Sequence, residues 1–177
     1  MQMTFKAFKE KIEQINEIDI RENYSGIKYS VNTDNEELKK HIENILNEIY
    51  IIDTYEIDGW IYEQKHFNEV IDTIKNMESY NDLEKLYQNP IIDKDRCKII
   101  HYTKKNISAF KLEFNTESLK QFMLNDIKDI DNISIKKEKK YSIYIQHDII
   151  AMKEECKYDC RTNIRKHEIE QIFNLSD

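Results

Sequence analysis

Phe110–Thr116, FKLEFNT, and Ile27–Thr33, IKYSVNT, are alternating apolar and polar runs that both close on Asn-Thr. Alternation with a period of two is the pattern of a strand with one buried face. A helical pattern opening at Leu-Lys follows each run. A gapless shift of 81 positions puts Leu38 on Leu119, Lys39 on Lys120, Asn44 on Asn125, Ile49 on Ile130, Ile52 on Ile133 and His66 on His147. The fold expected from this coincidence is α+β, with two similar ββαββ(α) units in tandem after an N-terminal helix. The helix takes residues 1–18, an acidic first unit 19–89 and a slightly basic second unit 90–177. The units meet at the only proline, Pro90, and are expected to pack as one compact domain.

Working outward, Phe5, Phe8, Ile12 and Ile15 share one face of a helix over 4–17, capped by Thr4. Residues 18–32 read as a hairpin turning at Ser25-Gly26, where glycine would accept positive φ. Thr33 or Asp34 is expected to cap a helix over 35–49. The next hairpin, 50–65, turns at Asp58-Gly59, a strong two-residue turn signal. It pairs Ile57 with Trp60 and Tyr55 with Tyr62 on a face expected to be core. Helices are predicted over 66–78 and 80–88, the second stopped by Asn89-Pro90. The second half gives strands over 97–103 and 108–115, then a helix over 117–130 capped by Thr116. Strands over 132–137 and 141–147 and helices over 148–157 and 162–173 complete the reading. The string IYxQ occurs at Ile61–Gln64 and at Ile143–Gln146, 82 positions apart. A one-residue slip inverts a strand's faces, so the 81-residue equivalence treats this string as coincidence.

Composition narrows the function. Two glycines and one proline in 177 residues leave no material for GxGxxG, GxxxxGK[ST] or GxSxG, whose loops need glycine for close backbone approach. The abundance of Ile, Lys and Asn, all with AT-rich codons, points to a low-GC bacterium, its phage or another mobile element. No apolar run is long enough for a membrane span, and the first residues lack a signal-peptide core. Three cysteines, an odd number, suit a reducing cytoplasm. The net charge of −7 divides into −9 over residues 1–89 and +2 over 90–177.

Four constellations carry chemistry on paper. The first is the metal-nuclease pattern, an Asp followed by Glu-x-Lys, in which carboxylates hold Mg²⁺. It is met by Asp53 or Asp58 with Glu63-Gln64-Lys65 and Glu48 nearby, by Asp131 with Glu138-Lys139-Lys140, and by Asp148 with Glu155-Cys156-Lys157. Three matches in one charged chain make the pattern unspecific, and the Asp58-Gly59 turn pairs Asp53 with Gln64, away from Glu63. The second is zinc-ligand chemistry in His147, Cys156, Cys160 and His167, although Cys-x₃-Cys is unusual spacing for a structural site. The third is a basic surface from Lys104, Lys105, Lys136, Lys137, Lys139 and Lys140, with Tyr144 for base stacking and Arg161, Arg165 and Lys166 following. Lysines at tips and edges also serve simply to block aggregation. The fourth is an acidic field containing Glu36, Glu37, Glu43, Glu48, Asp53, Glu56, Asp58, Glu63, Glu69 and Asp72, which would speed encounter with a basic partner.

No catalytic set satisfies its geometry, so a non-enzyme without cofactor or metal is expected. The function that follows is a small cytoplasmic inhibitor or immunity-type protein. It would dock a basic protein, such as a nucleic-acid enzyme, through Glu36, Glu37, Glu43, Glu48, Glu56, Asp58 and Glu63. The alternative is a metal-dependent nuclease or nucleic-acid-binding protein using the basic second half.

Overall fold

A computed structural model describes residues 1–79, 81–94, 98–102 and 107–149. The fold is α+β, with helices and several separate sheets. The chain divides into two compact units, Met1–His66 and Phe67–Asp177. The division falls near the start of the helix at 64–75, whereas the sequence reading puts the seam at Pro90.

The first unit holds β1 (Gln2–Met3), α1 (Phe5–Glu13), β2 (Ile18–Glu22), β3 (Gly26–Val31), α2 (Glu36–Asn47), β4 (Tyr50–Ile51), β5 (Thr54–Ile57) and β6 (Trp60–Glu63). Thr4 caps α1, its Oγ1 accepting from Ala7 N at 3.2 Å. The cap of α2 is Asn35, whose Oδ1 accepts from Glu37 N and Leu38 N. Thr33, the expected cap, instead accepts from Asn35 N and so positions the residue that caps. A four-stranded antiparallel sheet runs β2-β3-β6-β5. Separately, β1 pairs in parallel with β4 through Gln2–Tyr50 and Met3–Ile51, a pairing with no local sequence signal.

One expectation for this unit is corrected. The turn between β2 and β3 is built by Asn23, not by a positive φ at Gly26. Asn23 Oδ1 accepts from Ser25 N, Ser25 Oγ and Gly26 N at 2.9, 3.0 and 2.8 Å. Gly26 is required for space: a Cβ there would lie 2.6 Å from the Ile61 carbonyl oxygen and 2.7 Å from the Tyr62 ring. The β5–β6 pairs Ile57–Trp60 and Tyr55–Tyr62 form as expected. The core joins Phe8 and Ile12 of α1, Ile18, Ile27, Ile42 and Leu46 of the sheet and α2, and Ile61. Ile61 alternates with Trp60 and Tyr62, so the aromatic row lies on the sheet face away from these helices. Tyr62 on that row is fully buried, in keeping with its reading as core.

The second unit continues from α3 (Gln64–Lys75) through α4 (Asp82–Tyr87), β7 (Lys98–Tyr102), β8 (Ile107–Glu113), α5 (Glu117–Ile127), β9 (Ile133–Glu138) and β10 (Ser142–His147). Thr116 caps α5 as expected, accepting from Leu119 N at 3.1 Å. Leu119, Met123 and Ile127 form its buried stripe. The sheet runs β7-β8-β10-β9, antiparallel throughout. Phe110, Leu112, Ile143 and Ile145 share one fully buried face. The helices expected over 148–157 and 162–173 lie outside the described residues, except for Asp148 and Ile149.

Both four-stranded sheets therefore place their strands in the order first, second, fourth, third, with a helix between the hairpins. The spacing between them is not uniform. Leu38, Ile42 and Leu46 stand 81 positions from Leu119, Met123 and Ile127, along matching helix stripes. The β9–β10 hairpin closes on Lys139 and Ser142, which exchange backbone hydrogen bonds at 2.9 and 3.4 Å around Lys140-Tyr141. Ile57 and Trp60 flank Asp58-Gly59 in the same way, 82 positions earlier. The IYxQ strings thus occupy corresponding places in their hairpins. A bulge at Lys136, skipped between the pairs Tyr144–Lys137 and Ile145–Ile135, absorbs part of the change in register.

Candidate functional site

The expected partner-binding carboxylates occupy three elements of the first unit. Glu36 and Glu37 form the first turn of α2, where the helix N-terminus favours negative charge. Glu43 projects from the middle of that helix, and Glu48 is its C-cap. Glu56 lies on the edge strand β5, and Asp58 at the β5–β6 tip with φ +56°. All six are exposed. Among the described residues, Glu36, Glu37, Glu43, Glu48 and Glu56 have no ion-pair partner. Glu63 differs: it meets Lys65 at 3.7 Å and His66 at 3.1 Å, and so is used within the unit. Glu56 also acts on Tyr29, whose phenol is pushed above its ordinary pKa by burial first and by the Glu56 charge second.

The nuclease pattern fails on geometry at its described positions. Gln64 N donates to the Asp53 carbonyl, so Asp53 sits opposite Gln64 as the turn requires, and Glu63 sits opposite Thr54. Asp131 lies in the turn before β9, with Asn132 at positive φ after it, and Glu138 ends the strand, whose six residues alone span roughly 17 Å. Glu138 is also occupied. Its Oε1 accepts from Lys120 Nζ at 2.8 Å and Gln121 Nε2 at 3.0 Å. The Lys120 hydrogen bond holds the Glu138 carboxyl below the usual carboxylate range. Asp148 is exposed, but Glu155 lies outside the described residues.

Of the zinc set, Cys156, Cys160 and His167 lie outside the described residues. His147 is buried, and its Nε2 stands 3.2 Å from the Ile74 carbonyl oxygen on α3. A carbonyl only accepts, so Nε2 carries the hydrogen. Burial is the main cause that lowers the imidazole pKa. Among the described residues no group of three His, Cys, Asp or Glu side chains converges as metal ligands would.

The basic set divides similarly. Lys104 and Lys105 lie outside the described residues. Lys137, Lys139 and Lys140 are exposed on the β9–β10 hairpin, with Lys136 at the bulge. Tyr144 is only 2% exposed, with Lys111 Nζ and Lys139 Nζ 5.9 and 5.4 Å from its ring centre. Its faces are engaged by cations and are not an open stacking platform.

Register assembles one cluster that sequence reasoning missed. Lys111 pairs with Tyr144 and Glu113 with Ser142 across β8 and β10. Glu113, 7% exposed, accepts from Ser142 Oγ at 2.6 Å and meets Lys111 Nζ at 3.0 Å. The buried carboxylate is thus neutralised and hydrogen-bonded, as burial of a charge demands. The Ser142 hydrogen is committed to a carboxylate that Lys111 already pairs, which is the chemistry of a satisfied network and not of an activated nucleophile. Placing Tyr144 by its IYxQ string, opposite Lys111, was the signal that would have found it. No helix among the described residues is long and apolar enough to cross a membrane. No protein-family model matches the sequence, and comparisons with curated proteins and with solved structures find no match.

Proposed function

We propose that this chain is a small cytoplasmic macromolecule-binding protein of the inhibitor or immunity type, docking a basic partner through the acidic surface of its first unit. What carries the reading is the set of exposed carboxylates at Glu36, Glu37, Glu43, Glu48 and Glu56, without ion-pair partners among the described residues. Unpaired like charges repel one another and raise the energy of the free protein. A cationic surface that neutralises them recovers that energy and accelerates encounter. We further infer that the chain arose from two copies of one ββαββ unit. The shared strand order and matching helix stripes support this reading, and the first copy would have become the docking surface.

The test begins with capture of a partner from extracts of the source cell. Affinity for the identified partner is then measured across salt concentration, for wild type and for Glu36→Lys/Glu37→Lys/Glu43→Lys/Glu48→Lys. Docking through this surface gives binding that weakens with salt and is lost in the quadruple variant while the melting temperature holds. Undiminished binding by that variant sinks the proposal. The exposed Lys137, Lys139 and Lys140 favour a second reading, nucleic-acid binding or metal-dependent cleavage by the second half. Mg²⁺- or Mn²⁺-dependent cleavage of DNA or RNA, lost in Glu138→Ala, would establish it instead.

A further inference from the structure

The ladder between β3 and β6 consists of Gly26–Tyr62 and Ile27–Ile61 and then stops. The partner hairpin has reached its tip at Asp58-Gly59, while β3 runs on to Val31. On the other side β2 follows β3 to its end, pairing Ile20 with Tyr29 and Ile18 with Val31. Asn32 N donates toward β2, to the Glu17 carbonyl, so backbone alternation turns the N–H and C=O of Tyr29 and Val31 the other way. Among the described residues no strand pairs with that side.

The free stretch borders an open groove of about 450 Å³, which Tyr29, Ser30 and Val31 line from one side. Lys39, Glu43, Leu46 and Asn47 of α2 line the other. Tyr29 is held from behind by Phe8, whose ring meets it edge-on at 5.7 Å. The stretch is therefore a strand edge beside a groove of mixed lining, with Tyr29, Val31 and Leu46 as its apolar side chains, flanked by Glu43 on the helix and Glu56 on β5.

We propose that Tyr29–Val31 receives an extended, Lys/Arg-bearing segment of a partner protein as an added β-strand, with alternate side chains entering the groove along α2. Backbone pairing supplies the affinity and the groove the side-chain selection, as in other strand-addition sites. The carboxylates determine the sign of the partner. This rests on the acidic-docking reading above and names the element of the partner that is gripped.

The test uses three fluorescein-labelled heptapeptides with the intact protein: Lys-Val-Lys-Val-Lys-Val-Lys, its Lys-Gly counterpart of equal charge, and its Glu-Val counterpart. Strand addition predicts that the Lys-Val peptide binds most tightly and slows hydrogen exchange at the Tyr29 and Val31 amides. Val31→Pro removes an outward N–H and no bond to β2, a position where an edge strand tolerates proline. It should weaken binding by about tenfold, the worth of one or two lost backbone hydrogen bonds. Glu43→Arg should weaken it independently, and the exchange measurement on wild type needs no variant to fold. If the Lys-Val and Lys-Gly peptides bind equally, with no protection at Tyr29 and Val31, strand addition is overturned while acidic docking stands. If no cationic peptide binds, strand addition also fails, and the salt-dependent partner measurement above decides acidic docking separately. Concentration-dependent dimerisation abolished by Val31→Pro would assign the edge to a second copy of the chain and overturn the partner-peptide assignment.

Discussion

The two four-stranded sheets share a strand order and differ in how completely they are knitted. In the second unit the central strand β8 pairs with β10 from Ala109 to Glu113 and with β7 from Ile107 to Lys111. In the first unit β3 is paired along its length with β2 but holds β6 through Gly26 and Ile27 alone. The difference lies in where the hairpin tip falls: Ser142, next to its tip, pairs with Glu113 at the end of β8, whereas the β5–β6 tip at Asp58-Gly59 stops short of the end of β3. The tyrosines of the two IYxQ strings show the same divergence. Tyr62 lies against a glycine, whose missing side chain makes room for its ring, while Tyr144 lies under two lysines beside a buried carboxylate. One connectivity thus supports either a closed, polar-locked sheet or a sheet with a free edge. Which results depends on how far along the central strand the second hairpin reaches.

The comparison breaks most readily at Gly26. Gly26→Ala places a methyl against backbone and ring at the junction of β3 and β6, with an expected loss of about 2–3 kcal/mol by denaturant unfolding. A loss under about 0.5 kcal/mol, within the range of ordinary surface changes, would show that the narrow junction yields easily. In the second unit Lys120, buried to 2% exposure, ties α5 to the β9–β10 hairpin through Glu138. Lys120→Ala should cost about 1–2 kcal/mol, mostly from lost packing of its stem, because Glu138 is well solvated. If Lys120→Met costs as much as Lys120→Ala, the ion pair and not the stem dominates.

The two inter-hairpin helices offer a finer contrast. Asn35→Ala and Thr116→Ala each remove a side-chain cap, at about 1 kcal/mol apiece. Paired melting curves should show similar shifts, and unequal shifts would rank the two helices by how much their sheets support them. The smallest effect concerns acid. His147 in the folded protein titrates below its ordinary value, so the unfolded chain binds the extra proton first. Its contribution is present above the unfolded imidazole pKa, about 6.5, and is lost as pH falls below it. His147→Gln should therefore flatten the dependence of melting temperature on pH between about 7 and 5. An unchanged slope would remove His147 from the acid response.

Legibility followed the range of the interaction. Thr4 and Thr116 were readable as caps because a cap and its helix are a few residues apart. Asp58-Gly59 was readable because its turn is a local backbone preference. Lys140-Tyr141 was not, since neither residue favours a tight turn and the flanking pairs impose it. The pairing of Tyr55 with Tyr62 was readable from the Asp58-Gly59 turn, but alternation alone does not show that Ile61, on the other row, is the one that meets α1 and α2. The Lys111–Glu113–Ser142 network was invisible until β8 and β10 were placed in register, 29 positions apart from Glu113 to Ser142. The acidic surface was legible as composition, but the separate use of Glu63 by Lys65 and His66 was not.

The short parallel ladder of β1 and β4 has a consequence for the order of assembly. Tyr50 N donates to the Met1 carbonyl and Ile52 N to the Met3 carbonyl, at 2.9 and 2.8 Å. These bonds join residues nearly fifty positions apart, whereas every other strand in the unit finds at least one neighbour through a tight hairpin. Closing so long a loop for so few bonds is entropically expensive, and contacts of high sequence separation form slowly. The amino-terminal strand, made first, thus cannot pair until α2 and β4 have followed it. A two-residue ladder at a chain terminus is also expected to open readily in the native state, read as fast hydrogen exchange at the Tyr50 and Ile52 amides.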